Sequence, residues 1–310
     1  MKKNPLVLLL AISGIFFALF LVFVFATMGN LVKDKSIIGH SGVNVGVVKL
    51  KGVIMDSQKT LKELKEFEED SSIKAVLLRI DSPGGAVGPS QEIHDAVLRV
   101  RKTKPVVASF ESVAASGGFY VAVAAQKIVS NPGTLTGSIG VIMDFANLSE
   151  LYKWAKVERF NLKSGKFKDV GSENRPMTAD EKELMQALIT NVYEQFLKAV
   201  AEGRHLPADQ IRPIADGRVL TGEQAFQAKL VDKLGGVDVA LDEIREIAKL
   251  DAKQKIHLVM PEPKKRSLIE LLGSGAADSL MKGLTERYPV LEQLENAHLP
   301  SAHGPGLYFL

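Results

Sequence analysis

The 310-residue sequence contains no cysteine. It therefore forms no disulfide and no cysteine-ligated zinc or iron–sulfur site, and it is not a cysteine peptidase. A His-Glu-x-x-His motif is also absent, so no catalytic zinc site is apparent, and we expect neither a metal nor a cofactor. The sequence has no Gly-x-Ser-x-Gly elbow, and none of its six histidines lies in a glycine-rich turn. These absences argue against a Ser-His-Asp triad.

Excess positive charge is absent beyond the start of the chain. The net charge is +3, and it is accounted for by Asp34 together with four lysines, Lys2, Lys3, Lys33 and Lys35. The remainder of the chain is formally neutral. Proteins that bind nucleic acid broadly carry a concentrated surplus of lysine and arginine, so we expect no nucleic-acid partner.

One long apolar run extends from Leu6 to Ala26. It contains no charged residue, and only Ser13 and Gly14 fall outside the apolar set. As a helix it would span roughly 31 Å, which matches a bilayer core of about 30 Å. We expect residues 6–26 to form a transmembrane anchor in contact with the lipid bilayer, with the N-terminus inside because Lys2 and Lys3 precede it.

A cleaved signal peptide is the alternative for this run, since Val24 and Ala26 fit the −3 and −1 positions of a processing site. The run is longer than a typical signal-peptide core of about 7–15 residues, which favours an uncleaved anchor. The body of the protein would then lie on the outer face of a bacterial-type inner membrane. We expect an N-terminal segment with the anchor over 1–28, a linker over 29–42, a catalytic domain over 43–250 and a C-terminal extension over 251–310.

Buried-strand and amphipathic-helix patterns alternate through the catalytic domain, which predicts an α/β fold with a parallel sheet and packed helices. Strands are predicted over Val43–Leu50, Ile73–Ile80, Pro105–Phe110, Lys127–Ser130, Ser138–Met143 and Val157–Leu162. Helices are predicted over Asp56–Glu69, Ser90–Lys102, Ser116–Ala125, Leu148–Ala155, 178–201 and Asp238–Leu250. Capping boxes at Thr178–Glu181 and Thr221–Gln224 each predict a helix start.

Two glycine-rich turns follow predicted strands, where open α/β sheets place their ligands. One is Asp81-Ser-Pro-Gly-Gly85, and the other, Glu111–Gly118, contains Ser116 followed by two glycines. Ser116 fits an exposed nucleophile, but serine before a helix also serves as an ordinary N-cap. The turn at Gly85 is either an ordinary type II turn or a ridge of N–H groups for an oxyanion.

A nucleophilic serine needs a base, and lysine is the remaining candidate. Lys163, Lys166 and Lys168 cluster after the last predicted strand of the sheet. A lysine base needs a pKa lowered from about 10.4 toward 7–8, which burial can achieve. The alternative is a solvated basic loop, and the pattern alone does not choose among the three lysines.

Five segments between about Val43 and Ile247 form a recognisable set: Asp81–Gly85, Ala114–Tyr120, Leu135–Ile142, Lys163–Asp169 and Ala215–Val219. Together and in this order they resemble the signal peptide peptidase A family, bacterial membrane-anchored serine peptidases of the ClpP/crotonase fold. The chain resembles the short, single-copy form of the family.

The resemblance implies a role for five residues. Ser116 would be the nucleophile and Lys168 the general base, because the Lys-Asp pair at 168–169 matches the family motif. Ser138 would orient the lysine, and the N–H groups of Gly85 and Gly117 would form the oxyanion hole. The resemblance further implies a homo-oligomer whose neighbouring subunits share the dyad. Its peptide substrates would be remnant signal peptides and other apolar peptides.

Two other functions remain open at this point. A crotonase-like acyl-CoA enzyme would use the same paired N–H groups to hold a thioester enolate, although an exported domain has no access to CoA. A non-catalytic membrane scaffold would keep the fold without the dyad. The extension over 251–310 contains a basic Lys264–Arg266 cluster and an amphipathic stretch, and it matches no pattern that assigns it a role.

Overall fold

The structure is a computed structural model that describes Phe20 and residues 42–251, 254–261 and 308–309. The chain divides into two units, residues 1–42 and residues 43–310. The expected anchor over residues 6–26, apart from Phe20, and the linker up to residue 41 lie outside the described residues. In the part of the chain that is described, no helix combines the length and the apolar character needed to cross a membrane.

Eight strands form one mixed sheet, whose main path runs β7–β6–β4–β2–β1–β9 with β5 and β8 on a branch from β4. Their bounds are β1 Gly42–Lys51, β2 Ile73–Ser82, β4 Val106–Ala115, β5 Lys127–Ser130, β6 Leu135–Gly137, β7 Val219–Thr221, β8 Lys233–Leu234 and β9 Lys255–Val259. The central strands are parallel, and β7 pairs antiparallel with β6. Two short strands, β3 (Gly85–Ala86) and β10 (Tyr308–Phe309), pair antiparallel with each other.

Helices cover the sheet. Their bounds are α1 Gln58–Glu69, α2 Val87–Val100, α3 Gly117–Ala122, α4 Ser149–Trp154, α5 Ala179–Arg204, α6 Ala208–Ile211, α7 Gly222–Gln227 and α8 Val237–Ile247, with a 3₁₀ turn at Arg212–Ile214. Both predicted capping boxes are present, at Thr178 before α5 and at Thr221 before α7. Each box satisfies two N–H groups that a helix start otherwise leaves unpaired.

The sheet is buried on both faces, as the continuous apolar sequence of β2 predicts. Val76, Leu78 and Ile80 of β2 join the larger core, which includes residues of α1, α2, α3 and α5. Ala75 and Leu77 point the other way and join a smaller core with α8. The predicted α/β class is therefore confirmed.

Two predicted strands are wrong. Over Ser138–Met143 no strand forms apart from a single bridge at Ile142, because β6 stops at Gly137 and Ser138 adopts a φ of 48° that breaks the extended conformation. Val157–Leu162 forms no strand, and its apolar side chains remain exposed, with Leu162 at 95%. Its apolar residues suggested a strand, but no described strand pairs with the segment to supply backbone partners.

Candidate active site

Ser116 lies at the junction of β4 and α3. The first half of β4 pairs with β5, and its last three residues, Val113–Ala115, pair with β6. The Ser116 N–H continues this pairing by donating to the Gly137 carbonyl at 2.8 Å. The strand then turns sharply into the helix, which places Ser116 at φ 50° and ψ −116°. A non-glycine residue in such a region costs about 1–3 kcal/mol and is typical of functional sites.

The Ser116 hydroxyl is buried without a partner. The residue occupies the N-cap position of α3, but its side chain accepts no capping hydrogen bond. Its Oγ has no hydrogen-bond partner among the described residues, and the residue is 0% exposed. A buried hydroxyl without a hydrogen bond destabilises the folded state, and a serine with a purely structural role would form that bond. The hydroxyl therefore does not act as a helix cap, and it is available for chemistry.

Backbone N–H groups converge beside this hydroxyl. A Cβ atom on Gly84 would lie 2.7 Å from the Gly117 nitrogen and 3.0 Å from the Ser116 Cβ. A Cβ atom on Gly117 would lie 3.2 Å from the Gly85 nitrogen. Only glycine permits this approach, and Gly117 begins α3, where an N–H has no acceptor within the helix. The arrangement can present two N–H donors to a carbonyl oxygen that gains negative charge.

Ser138 is tied to the same junction. It is 8% exposed and follows Gly137, whose carbonyl accepts the Ser116 N–H. Its own N–H donates to the Arg218 carbonyl at 2.9 Å. A cavity of about 540 Å³ opens beside Ser138, with a lining that includes Val141, Ile142, Ile189 and Tyr193. The structure therefore brings Ser116, Ser138, Gly85 and Gly117 to one region of the fold.

The three candidate lysines differ in their contacts. Lys163 forms an ion pair with Asp169, and Lys166 forms one with Asp180. Lys168 is exposed, and its ammonium has no hydrogen bond or ion pair within the described part of the chain. The ammonium groups of Lys163 and Lys166 are therefore already engaged by carboxylates of the same chain. Because the Ser116 Oγ is unpaired, Lys168 is not hydrogen-bonded to it within one chain.

An ionic network that sequence reasoning missed holds the residue after Lys168. Arg175 donates two hydrogen bonds to Glu181, at 2.6 and 2.8 Å, and forms an ion pair with Asp169 at 2.9 Å. The Arg175 guanidinium lowers the pKa of Glu181 to about 2, and together with Lys163 it lowers the pKa of Asp169 to about 2. Glu181 was visible in the sequence only as part of a capping box, and Arg175 gave no signal.

The segment Tyr308–Phe309 also reaches this region, and it too was missed. Phe309 lies opposite Gly85 in the β3–β10 pair, and its side chain is 0% exposed. A two-residue strand is too short to produce a periodic pattern, so no sequence signal could have identified it.

Known proteins are similar in sequence to this chain over most of its length. Residues 99–251 match the model of Peptidase family S49, and residues 43–133 match the model Clp protease. The chain is 42% identical over 231 residues to "Putative protease slr0021" of Synechocystis sp., an alignment that covers 73% of this chain and 82% of that relative. The chain belongs to the signal peptide peptidase A family, peptidase family S49.

Two further relatives of this chain have names that include SppA. "Putative signal peptide peptidase SppA" of Enterococcus faecium is 34% identical, over 68% of this chain and 66% of that relative. "Serine protease SPPA, chloroplastic" of Arabidopsis thaliana is 32% identical, over 85% of this chain and 40% of that relative. The resemblance noted in the sequence is confirmed, and the protein is a serine peptidase. These matches do not support the acyl-CoA enzyme or the non-catalytic scaffold.

Proposed function

We propose that the protein hydrolyses peptide bonds with a Ser116–Lys168 dyad. The observation that carries this proposal is the buried, unpaired Ser116 hydroxyl at a strained junction beside the Gly85 and Gly117 N–H groups. Neutral Lys168 takes the Ser116 proton as the oxygen attacks a peptide carbonyl, and the two N–H groups stabilise the oxyanion. The resulting ammonium protonates the leaving amine. Water activated by Lys168 then hydrolyses the acyl-enzyme.

The dyad in this proposal forms between two copies of the chain. Lys168 is exposed and the Ser116 Oγ has no partner, so each lacks the other within one chain. The segment before Lys168 carries large exposed apolar side chains, with Trp154 at 81% and Phe160 at 78% exposure. Exposed apolar clusters of this kind are typical of protein interfaces. We infer a homo-oligomer in which this segment packs on a neighbour and brings Lys168 to its Ser116, with Ser138 orienting the ammonium.

The substrates proposed are remnant signal peptides and other apolar peptides at the membrane. The Enterococcus relative is named as a signal peptide peptidase. The apolar run over residues 6–26 would anchor the protein in a bacterial inner membrane with the catalytic domain on the outer side. Such an anchor would hold the site close to peptides left in the bilayer.

Mixed oligomers test the shared dyad. Ser116→Ala and Lys168→Ala each abolish cleavage of a fluorogenic apolar peptide when expressed alone. Co-expression of the two variants restores roughly a quarter of the activity, because random pairing leaves intact one dyad in four. Lys166→Ala is the matched control and keeps its activity. Full activity in Lys168→Ala would overturn the lysine assignment, and failure of co-expression to restore any activity would show that each dyad forms within one chain.

A further inference from the structure

Ile54 lies against the turn that supplies one donor of the proposed oxyanion hole. Its N–H donates to the Gly84 carbonyl at 2.8 Å, and its carbonyl accepts the Ala86 N–H at 2.7 Å. These two bonds form an isolated parallel bridge between Ile54 and Gly85. A Cβ on Gly85 would lie 2.2 Å from the Ile54 oxygen and 2.5 Å from its nitrogen, so Gly85 packs directly on this backbone. Ile54 therefore binds the peptide groups on both sides of Gly85.

The bond to the Gly84 carbonyl sets the direction of the Gly85 N–H. In a trans peptide the carbonyl and the following N–H point in opposite directions, and no described peptide bond is cis. Because the Gly84 carbonyl points at Ile54, the Gly85 N–H points away from Ile54. A Cβ on Gly117 would lie 3.2 Å from the Gly85 nitrogen, so the two proposed donors are adjacent. Rotation of the Gly84–Gly85 peptide would present an oxygen where the donor is needed.

The turn itself offers little resistance to such a rotation. Gly84 has a φ of 110° and is followed by a second glycine. Glycine populates positive and negative φ about equally, so a peptide between two glycines rotates at low cost. The Ser82 hydroxyl accepts the Gly84 N–H at 3.2 Å, which holds the preceding peptide rather than this one. The restraint on the Gly84–Gly85 peptide therefore comes from outside the turn.

Ile54 is itself anchored in the fold. Its side chain is 3% exposed and belongs to the larger core, whereas its neighbours Val53 and Met55 are exposed. Two residues before Ile54, the Gly52 N–H donates to the Asp81 carbonyl at 2.9 Å, which ties the chain after β1 to the end of β2. The buried side chain thus fixes the backbone that contacts the turn.

We propose that Ile54 is a positioning residue, whose N–H holds the Gly84–Gly85 peptide in the orientation that presents the Gly85 N–H to the substrate oxygen. This inference rests on the proposed function and adds a residue that touches neither the substrate nor the nucleophile. The group that acts is a backbone N–H, which most side-chain substitutions leave in place. The test therefore alters the backbone itself.

Replacing Ile54 by its α-hydroxy analogue in the full chain tests this role. The side chain is kept, and the N–H becomes an ester oxygen that would face the Gly84 oxygen and repel it. We expect kcat on a fluorogenic apolar peptide to fall roughly 10- to 100-fold, because loss of a whole oxyanion donor costs about 100- to 1,000-fold. KM should change less than about twofold, since an interaction made only in the transition state is lost.

The α-hydroxy analogue of valine at Val76 is the matched control. Val76 is also buried and β-branched, and its N–H donates to the Pro105 carbonyl at the same distance, 2.8 Å. It lies near the amino end of β2, whereas the turn follows the carboxyl end. This ester removes a buried backbone bond outside the site, so kcat and KM should match those of the parent. An equal fall in kcat in both variants would overturn the positioning role.

A pair of inhibitors reports the oxyanion hole directly. The aldehyde acetyl-Leu-Leu-leucinal adds to Ser116 and leaves an oxygen in the hole, whereas the alcohol acetyl-Leu-Leu-leucinol binds without forming an oxyanion. The ester at Ile54 should raise the inhibition constant of the aldehyde by the factor that kcat loses, and that of the alcohol should stay unchanged. An unchanged constant for the aldehyde, or an equal rise for both inhibitors, would overturn the inference.

A parent protein that cleaves no peptide would count against the proposed function, and crystal structures of the two esters then decide the role of Ile54. In the ester at Ile54 the Gly84 carbonyl should turn away from position 54, and in the ester at Val76 it should keep its direction. A Gly84 carbonyl that keeps its direction in both variants overturns the inference whatever the protein's activity.

Discussion

At the scale of single residues, Gly84 shows how closely the site is packed. Its φ is 110°, and a Cβ there would lie 2.7 Å from the Gly117 nitrogen. We expect Gly84→Ala to displace an oxyanion donor and to lower kcat on an added peptide by about 100-fold or more. Gly88→Ala is the matched control, since a Cβ on Gly88 meets nothing within 4 Å, and it should keep its activity. Normal activity in Gly84→Ala would refute the proposed oxyanion hole.

His94 makes stability depend on pH. Burial lowers its pKa below the ordinary 6.5, and the neutral ring packs against Tyr120 with Asp95 beside it. The unfolded chain binds a proton at higher pH than the folded one, so this contribution to stability is complete above pH 6.5 and is lost as the pH falls toward the folded pKa.

Urea unfolding at several pH values measures this effect. Below pH 6.5 the free energy of unfolding should fall by at most about 1.4 kcal/mol per pH unit for this single proton, and His94→Gln should reduce the slope. His205→Asn, which replaces the exposed histidine after α5, is the control and should leave the slope unchanged. The same slope in His94→Gln would contradict the assignment.

At the scale of elements, Arg175 couples the Lys168 loop to the start of α5. It joins Asp169 in the loop to Glu181 in the first turn of the helix. We expect Arg175→Gln to free the loop and lower kcat by roughly 10- to 100-fold, because a small displacement of a catalytic group is costly. KM should change little, since the substitution leaves the peptide groove intact.

The exposed pair of Arg99 with Glu68 provides the control for this substitution. Arg99→Gln removes an ion pair at the C-terminal end of α2. It should preserve both kcat and KM, because exposed ion pairs contribute little to stability. If Arg175→Gln changed KM alone, the network would belong to the substrate groove and would not position Lys168.

Elements with strong local signals were predicted well from the sequence. β2 and β5 follow from apolar runs, and α5 follows from its capping box at Thr178. Ser116, Gly85 and Gly117 lie in glycine-rich turns that are local features of the sequence, whereas Ser138 was indicated only by the family resemblance. Tyr308–Phe309 was not predicted, since its contacts join distant parts of the chain. Arg175 was not predicted either, because its partners, six residues away on each side, form no periodic pattern. The strand predicted over Val157–Leu162 is wrong for the opposite reason. A local apolar pattern is present there, but no described strand pairs with the segment.

At the scale of the whole molecule, the exposed apolar segment before Lys168 governs assembly in our proposal. Leu162 is 95% exposed. We expect Leu162→Asp to dissociate the oligomer and to abolish peptide cleavage together with it, because a charge opposes burial in an apolar interface. Light scattering after size-exclusion chromatography reports the mass, and a fluorogenic peptide reports the activity.

Leu258 on β9 provides the matched control, since it is an exposed leucine, at 45%, on an edge strand. Leu258→Asp should keep the mass and the activity of the parent. An unchanged mass in Leu162→Asp would place the subunit contact elsewhere and leave the exposed segment without this role.

The strained junction at Ser116 has a thermodynamic consequence for the family member described here. Its left-handed φ and its unpaired hydroxyl both raise the free energy of the folded state, and a glycine at that position would remove both burdens. Ser116→Gly should therefore have a higher free energy of unfolding than the parent protein. Selection for folding alone would favour glycine at this position, so under the proposed mechanism catalysis requires a serine that lowers the thermal stability of the protein.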